Sequence, residues 1–557
     1  MQDRHYKHWP ERLSKHLTLP ETSLYYNLEV SAARYPNKPF VLFYGSTLGF
    51  GEFRRQVDAL AGFLQSRCGV GKGDRVLLYM QNSPQFMLGY YAILRADAMV
   101  VPVNPMNLAE ELAHFIADSG AATALVGQEL YAQIAPHLGR GVEHLIVAAY
   151  ADYLAAPTDL RLPEAVAAPR LDLSAKDVVL WQDALAAGAT PSPHTAGPDD
   201  LCVLPYTSGT TGKPKGCIHT HRTVMSTLIA GAAWFGVATD ATVLGTLPMF
   251  HVTAMQGSLN SPIYTGATVV LMQRWDREVA AQLIQRYRVT SWTNIATMAI
   301  DFLANPNIGD YDISSLKLIG GGGAAMPEAV AQKLLDLTGL AYVEGYGLSE
   351  TIAPTHINPP QRPLKQCLGI PIFDTDCRII NPDTLAQLGV GEVGEIVSHG
   401  PQVFKGYWKN PKATEQAFIE IEGKQFFRTG DLARMDEDGY FFMVDRLKRM
   451  INASGLKVWP AEVEAMMYAH PDVQEACVIG ALDPYRGETV KAMVVLKAAS
   501  KGRVSAADVI DWCKAHMAAY KYPRIVEFVD SLPKSATGKV MWRQLQEQES
   551  AKAAARA

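Results

Sequence analysis

Residues 206–216 read Tyr-Thr-Ser-Gly-Thr-Thr-Gly-Lys-Pro-Lys-Gly, almost without an apolar side chain, directly after the apolar run Leu201-Cys202-Val203-Leu204. A strand that feeds such a loop is built to grip phosphate. Gly209, Gly212 and Gly216 let the backbone turn and approach an anion, while Thr207, Ser208, Thr210 and Thr211 offer hydroxyls and Lys213 and Lys215 offer charge. The expected ligand is a polyphosphate. The common P-loop is excluded, because only Thr210 and Thr211 separate Gly209 from Gly212 and Pro214 stands where a metal-binding hydroxyl would be needed. A polar surface loop is the commoner fate of short Gly/Ser/Thr clusters, but not of one this long with two lysines.

With 557 residues the chain should divide into at least two domains. Charged residues make up 19% and the formal net charge is −5, so there is no basic field for nucleic acid and polyanions must be held locally. No apolar run is long enough to span a bilayer, and the polar start lacks the apolar core of a leader, so the expectation is a cytoplasmic protein. Seven cysteines, scattered and never paired as Cys-x-x-Cys, argue against a disulfide framework or a zinc site; Cys217, next to the loop, is read as packing.

Apolar runs at 75–79, 99–103 and 122–126 alternate with helical patterns at 85–95 and 109–117, a βαβαβ series that predicts a parallel sheet covered by helices. Residues 155–200, rich in Ala, Pro and Asp, read as a long surface connection. Further short strands are expected at 242–247, 267–272 and 316–319, giving a second α/β layer. Gly-punctuated β patterns at 389–397 and 426–444 then lead to the charged knot Asp445-Arg446-Leu447-Lys448-Arg449, where the domain boundary is placed.

The phosphate loop resembles that of the AMP-forming adenylating enzymes, the acyl-CoA synthetases and their relatives, and the ordered motifs extend the resemblance over about residues 25–545. It implies an α/β fold: a large N-terminal adenylation domain (1–445) of layered α/β subdomains plus a small β subdomain, then a small mobile α+β C-terminal domain (446–557). It implies that the loop residues Thr207 to Lys213 bind ATP, with Gly321, Gly322, Gly323 and Ala324 as a bare-backbone wall. Glu344, Gly345, Tyr346, Gly347 and Thr351 take the adenine station, and Glu350, with Thr207, the magnesium station. Asp431 in Thr429-Gly430-Asp431 and Arg446 correspond to the ribose and phosphate contacts, His251 to a gate for the substrate carboxylate, and Lys539 to the lysine that bridges carboxylate and α-phosphate. Out of that context each has a plainer reading: a turn, a surface pair, a core histidine, a solvated lysine.

Lys448 falls on the family's hinge, and Ser454, Gly455 and Lys457 on its coenzyme A side. The resemblance implies an ATP-dependent carboxylic acid:CoA ligase that forms acyl-AMP and pyrophosphate, then acyl-CoA and AMP. The acyl pocket is expected from Trp234, Phe235, His251, Met255, Asn294 and Gly321; its segments include no Arg or Lys, which favours a hydrophobic monocarboxylic acid, a medium- or long-chain fatty acid first and an aryl acid second. An enzyme loading a carrier protein is the third reading. Expected partners are the acid, ATP, Mg2+ and coenzyme A, with no nucleic acid; the family suggests a homodimer.

Overall fold

A computed structural model of the protein describes residues 3–155, 157–173, 178–207, 213–453, 456–483, 487–535 and 538–554. Among the described residues two large sheets form the front body. From one edge to the other, the first sheet orders His219–Thr220, Leu201–Val203, Met99–Pro102, Arg75–Tyr79, Thr123–Gly127, His144–Ala148 and Val178–Leu180. All neighbours in this sheet run parallel except His219–Thr220.

The second sheet orders Ile370–Pro371, His356–Ile357, Val343–Tyr346, Leu318–Gly322, Ser291–Asn294, Thr242–Gly245, Thr268–Leu271, Pro39–Phe43 and Ser46–Gly49. Its six central strands are parallel. Such strands are buried on both faces, which is why Val76, Leu77, Leu78, Val269, Val270 and Leu271 are all inaccessible to water. The helix Pro84–Arg95 packs between the layers and is buried along nearly its whole length; Ser83 caps it by accepting the Phe86 N–H, and Pro84 occupies the first turn where no N–H is needed.

Residues 155–200 depart from the expected surface connection. Val178–Leu180 joins the first sheet beside His144–Ala148, and Trp181 is fully buried in the core. Near the end of this stretch Asp97 holds His194 at 2.5 Å and His194 meets Ser23 Oγ at 2.6 Å.

An antiparallel sheet of Asp376–Ile380, Gly394–His399, Lys424–Met435 and Phe418–Ile421, with Phe441–Arg446 beside Lys424–Met435, forms the small β unit. Beyond it, Leu456–Val458, Ile451–Ala453, Gly487–Leu496, Val473–Asp483 and Ile525–Phe528 build a separate sheet with its own core of Val463, Val478, Val494 and Val509. The strand-rich mixture with helices Pro460–Met467 and Ala506–His516 matches the expected α+β character of the tail.

Candidate active site

The parallel strands of the second sheet end together, and ligands in open α/β sheets collect at such carboxyl ends. Three of those ends carry the predicted residues: Asn294, Gly321 and Gly322, and Gly345 and Tyr346. Gly320, Gly321 and Gly322 are glycine for a local reason. A Cβ on them would fall 2.4 Å from Val343 O, 1.9 Å from Asn294 O and 2.3 Å from Gly345 O. Gly323, at φ +85°, turns the chain out of the strand.

Lys539 reaches that turn. A Cβ on Gly323 would lie 2.9 Å from Lys539 Cε and 3.4 Å from Nζ, and one on Gly538 would lie 2.6 Å from Ile295 Cδ1. Backbone bonds on either side hold the lysine: Ser535 N donates to Lys539 O at 2.8 Å and Met541 N to Pro533 O at 2.8 Å, while Lys534 pairs with Glu475 at 2.9 Å. Water still reaches Lys539, yet the walls around it desolvate the ammonium. That desolvation, then repulsion from Arg446, lowers its pKa against the pull of Asp431.

Asp431 and Arg446 are cross-strand partners, with Arg446 Nε 2.9 Å from Asp431 Oδ1. The contact is an ion pair off the line of a hydrogen bond, so Oδ1 is a buried acceptor with no directional donor. Oδ2 accepts from Tyr346 OH at 2.7 Å. Asp431 therefore keeps one oxygen suited to a hydroxyl, and Tyr346 is fixed by the other.

Glu350 lies at 7% exposure in the turn Ser349–Thr351, and its Oε1 accepts from Tyr407 OH at 2.9 Å. Burial raises its pKa, with Tyr407 and nearby cations opposing. Among the described residues no three His, Cys, Asp or Glu side chains converge as a metal site. A carboxylate and the Thr207 hydroxyl, both hard oxygen donors, suit an ion such as magnesium that retains waters and takes phosphate oxygens from its substrate.

His251 caps the turn Val252–Ala254 by accepting the Thr253 N–H on Nδ1 at 3.4 Å. Burial, then the Lys539 charge, pushes its pKa down to about 3. The neutral ring keeps its proton on Nε2. Met255 is buried in the main core nearby in sequence, at the start of the π-helical stretch Met255–Asn260.

Several expected contacts are engaged elsewhere. Glu344 accepts from Met326 N at 3.2 Å and Gln366 N at 2.8 Å, bracing the glycine segment from within. Thr351 is fully buried, bonding Leu348. Trp234 and Phe235 belong to the cluster of Trp9 and Phe373, not to the core that holds Met255; the Trp234 indole donates to Asn358 O at 3.0 Å. Ala324 is exposed beside Gly323, and Gly347 is crowded by Ala353. Asn294 is fully buried with its Nδ2 unpartnered, and its Oδ1 lies 3.3 Å from Tyr342 OH.

Lys213 is exposed at the loop's outgoing arm, and Thr207 pairs with Lys215. Ser208, Gly209, Thr210, Thr211, Gly212, Ser454 and Gly455 lie outside the described residues, as do the side chains of Lys448 and Lys457. Cys217 is fully buried and its thiol pKa is raised by burial, consistent with packing. Sequence reasoning alone does not find Tyr407; its one signal is its place after Gly406 in a Gly-Tyr-Trp run.

Residues 28–408 match the AMP-binding enzyme family, and residues 462–539 match the AMP-binding enzyme C-terminal domain. The chain is 35% identical over 550 residues to a long-chain-fatty-acid--CoA ligase of Bacillus subtilis (strain 168), covering 97% of each chain. It is 35% identical over 500 residues to a feruloyl-CoA synthase of an Amycolatopsis species, covering 89% of this chain and 93% of that one. A solved anthranilate CoA ligase, AuaEII, in complex with anthranoyl-AMP superposes with a TM-score of 0.85 at 26% identity, covering 97% of this chain and 99% of that one. With the family matched across more than half its length around this cleft, the chain belongs to the AMP-binding enzyme family.

Proposed function

We propose that the chain is an ATP-dependent carboxylic acid:CoA ligase. The observation that carries this reading is Lys539 seated against Gly323, within electrostatic reach of Arg446 and Asp431. A carboxylate oxygen attacks the α-phosphorus of ATP, the bond to the β-phosphate breaks, and pyrophosphate leaves. Lys539 offsets the repulsion between the two anions and stabilises the charge that builds on the phosphoryl oxygens. Asp431 accepts from the ribose, Arg446 steadies ribose and phosphate, and neutral His251 orients the carboxylate without adding charge. Glu350 and Thr207 would hold magnesium, which neutralises polyphosphate charge when bound.

In the second half-reaction the coenzyme A thiolate attacks the acyl carbonyl, the bond to AMP breaks, and AMP leaves. The tail beyond Lys448 turns about that residue between the steps, bringing its coenzyme A side, Ser454, Gly455 and Lys457, to the thiol. A hydrophobic monocarboxylic acid is the substrate, a medium- or long-chain fatty acid first, and the name of the Bacillus relative supports the long-chain end of that range. The feruloyl-CoA synthase and anthranilate ligase likenesses favour an aryl acid as the second reading. The enzyme works in the cytoplasm, and a homodimer is its proposed assembly.

The test is pyrophosphate exchange across a panel of fatty and aryl acids, followed by AMP release with and without coenzyme A. Exchange that depends on a hydrophobic acid, with AMP release that depends on coenzyme A, is expected. Acid-dependent exchange with AMP release that ignores coenzyme A but follows loading of a carrier protein would move the acceptor to the third reading, and no exchange with any acid would refute adenylation.

A further inference from the structure

Residues 404–408 connect the phosphate loop to the acid that would hold the metal. Their backbone pairs with the loop's outgoing arm: Lys405 N donates to Ile218 O at 2.9 Å, Ile218 N to Gly406 O at 3.0 Å, and Trp408 N to Gly216 O at 2.8 Å. The same segment grips Glu350 twice, through Phe404 N to Glu350 O at 2.8 Å and Tyr407 OH to Glu350 Oε1 at 2.9 Å. Lys215 Nζ stands over the Tyr407 ring, 4.0 Å from its centroid. One buried aromatic side chain thus touches a loop cation with its face and a carboxylate with its hydroxyl.

We propose that Tyr407 is a positioning residue for the polyphosphate, an aromatic spacer that keeps Lys215 and Glu350 from pairing with each other so that both remain turned to the nucleotide. Opposite charges this close in a partly dry cleft attract strongly, and a collapsed pair would withdraw the ammonium from phosphate. The ring face satisfies the ammonium without a full charge, and the phenol fixes one carboxylate oxygen. A residue that served packing alone would need the ring but not the hydroxyl. The inference rests on the reading that this cleft takes ATP.

The experiment measures binding of ATP and of AMP by calorimetry, with magnesium present, for the full-length wild type, Tyr407→Phe, Tyr407→Leu and Lys215→Met. Tyr407→Phe should weaken ATP binding about tenfold and leave AMP within about twofold, because AMP lacks the outer phosphates. Lys215→Met should cost ATP binding about tenfold in the wild type and almost nothing in Tyr407→Leu, where the lysine is already withdrawn. Equal loss of ATP and AMP affinity, or a lowered melting temperature with both affinities intact, makes Tyr407 a packing residue and overturns the proposal. If Tyr407→Leu fails to fold, the Phe and Met variants decide alone. A wild type that binds no ATP would instead refute the functional reading beneath it.

Discussion

Asp445 Oδ2 accepts the Ala461 N–H at 2.7 Å, so the last strand of the small β unit caps the first helix of the tail, Pro460–Met467. Arg449 stands 3.9 Å from the same carboxylate and is bound more tightly to Glu464. These contacts straddle Lys448, so rotation there would break the Asp445 cap. Asp445→Ala should slow pyrophosphate exchange about tenfold, the cost of one charged hydrogen bond, while thioester formation from supplied acyl-AMP is unchanged or faster. Equal slowing of both half-reactions would show that Asp445 does not favour one orientation.

His251 bears on the pH profile. Its pKa lies at about 3, first through burial and then through Lys539, so it stays neutral throughout the working range. Pyrophosphate exchange between about pH 5 and pH 9 should show no limb that disappears in His251→Gln, although the amplitude should fall as the carboxylate loses its guide. A limb near the ordinary histidine range that vanishes with the substitution would contradict the neutral assignment.

Glu344 gives a stability test with a definite sign. Burial raises its pKa from 4.5 to about 7, so between those values the unfolded chain releases a proton that the folded chain keeps. Stability contributed by this group therefore falls as pH rises through that window, by on the order of 3 kcal/mol once pH exceeds about 7. Glu344→Gln removes the titration and should gain on the wild type at about pH 8 relative to about pH 5, as read from melting temperatures. A constant difference between the two proteins at both pH values would exclude the buried acid as its source.

The parallel strands are legible because they depend on local chemistry, continuous apolar runs for strands covered on both faces, whereas Lys539 is singled out only by the family resemblance of its motif, since by itself a lysine there reads as a solvated charge. What the sequence hides depends on distant partners. Trp234 and Phe235 are placed in the pocket by the family resemblance, yet Trp9, far away in sequence, packs edge-on against the Trp234 indole and Phe235 joins the same cluster. Glu344 is placed at the adenine station only by the family resemblance of its segment, and its carboxylate accepts from the backbone of Met326 and Gln366. Trp181 reads as connection because alanine and proline dominate around it, though Val178–Leu180 completes a sheet edge.

The turn after Glu350 holds stored strain that can be measured. Ile352 and Ala353 both have left-handed backbone, at φ +46° and +43°, which L-residues other than Asn and Asp rarely adopt and which costs about 1–2 kcal/mol per residue. Both sit against neighbours: Thr227 Oγ1 lies 3.4 Å from Ile352 O, and Gly347 packs its backbone against Ala353. The arrangement sets where Glu350 stands, since Ile352 N donates to Ser349 O at 3.2 Å and Ala353 N to Leu348 O at 3.0 Å. Ala353→Gly keeps both hydrogen bonds and removes the penalty of the Cβ, so it should stabilise the protein by about 1 kcal/mol with ATP affinity intact. Replacing Ile352 instead would lose a fully buried side chain and destabilise. A lower melting temperature for Ala353→Gly would mean that the methyl's packing outweighs the strain and that the turn is held by its contacts alone.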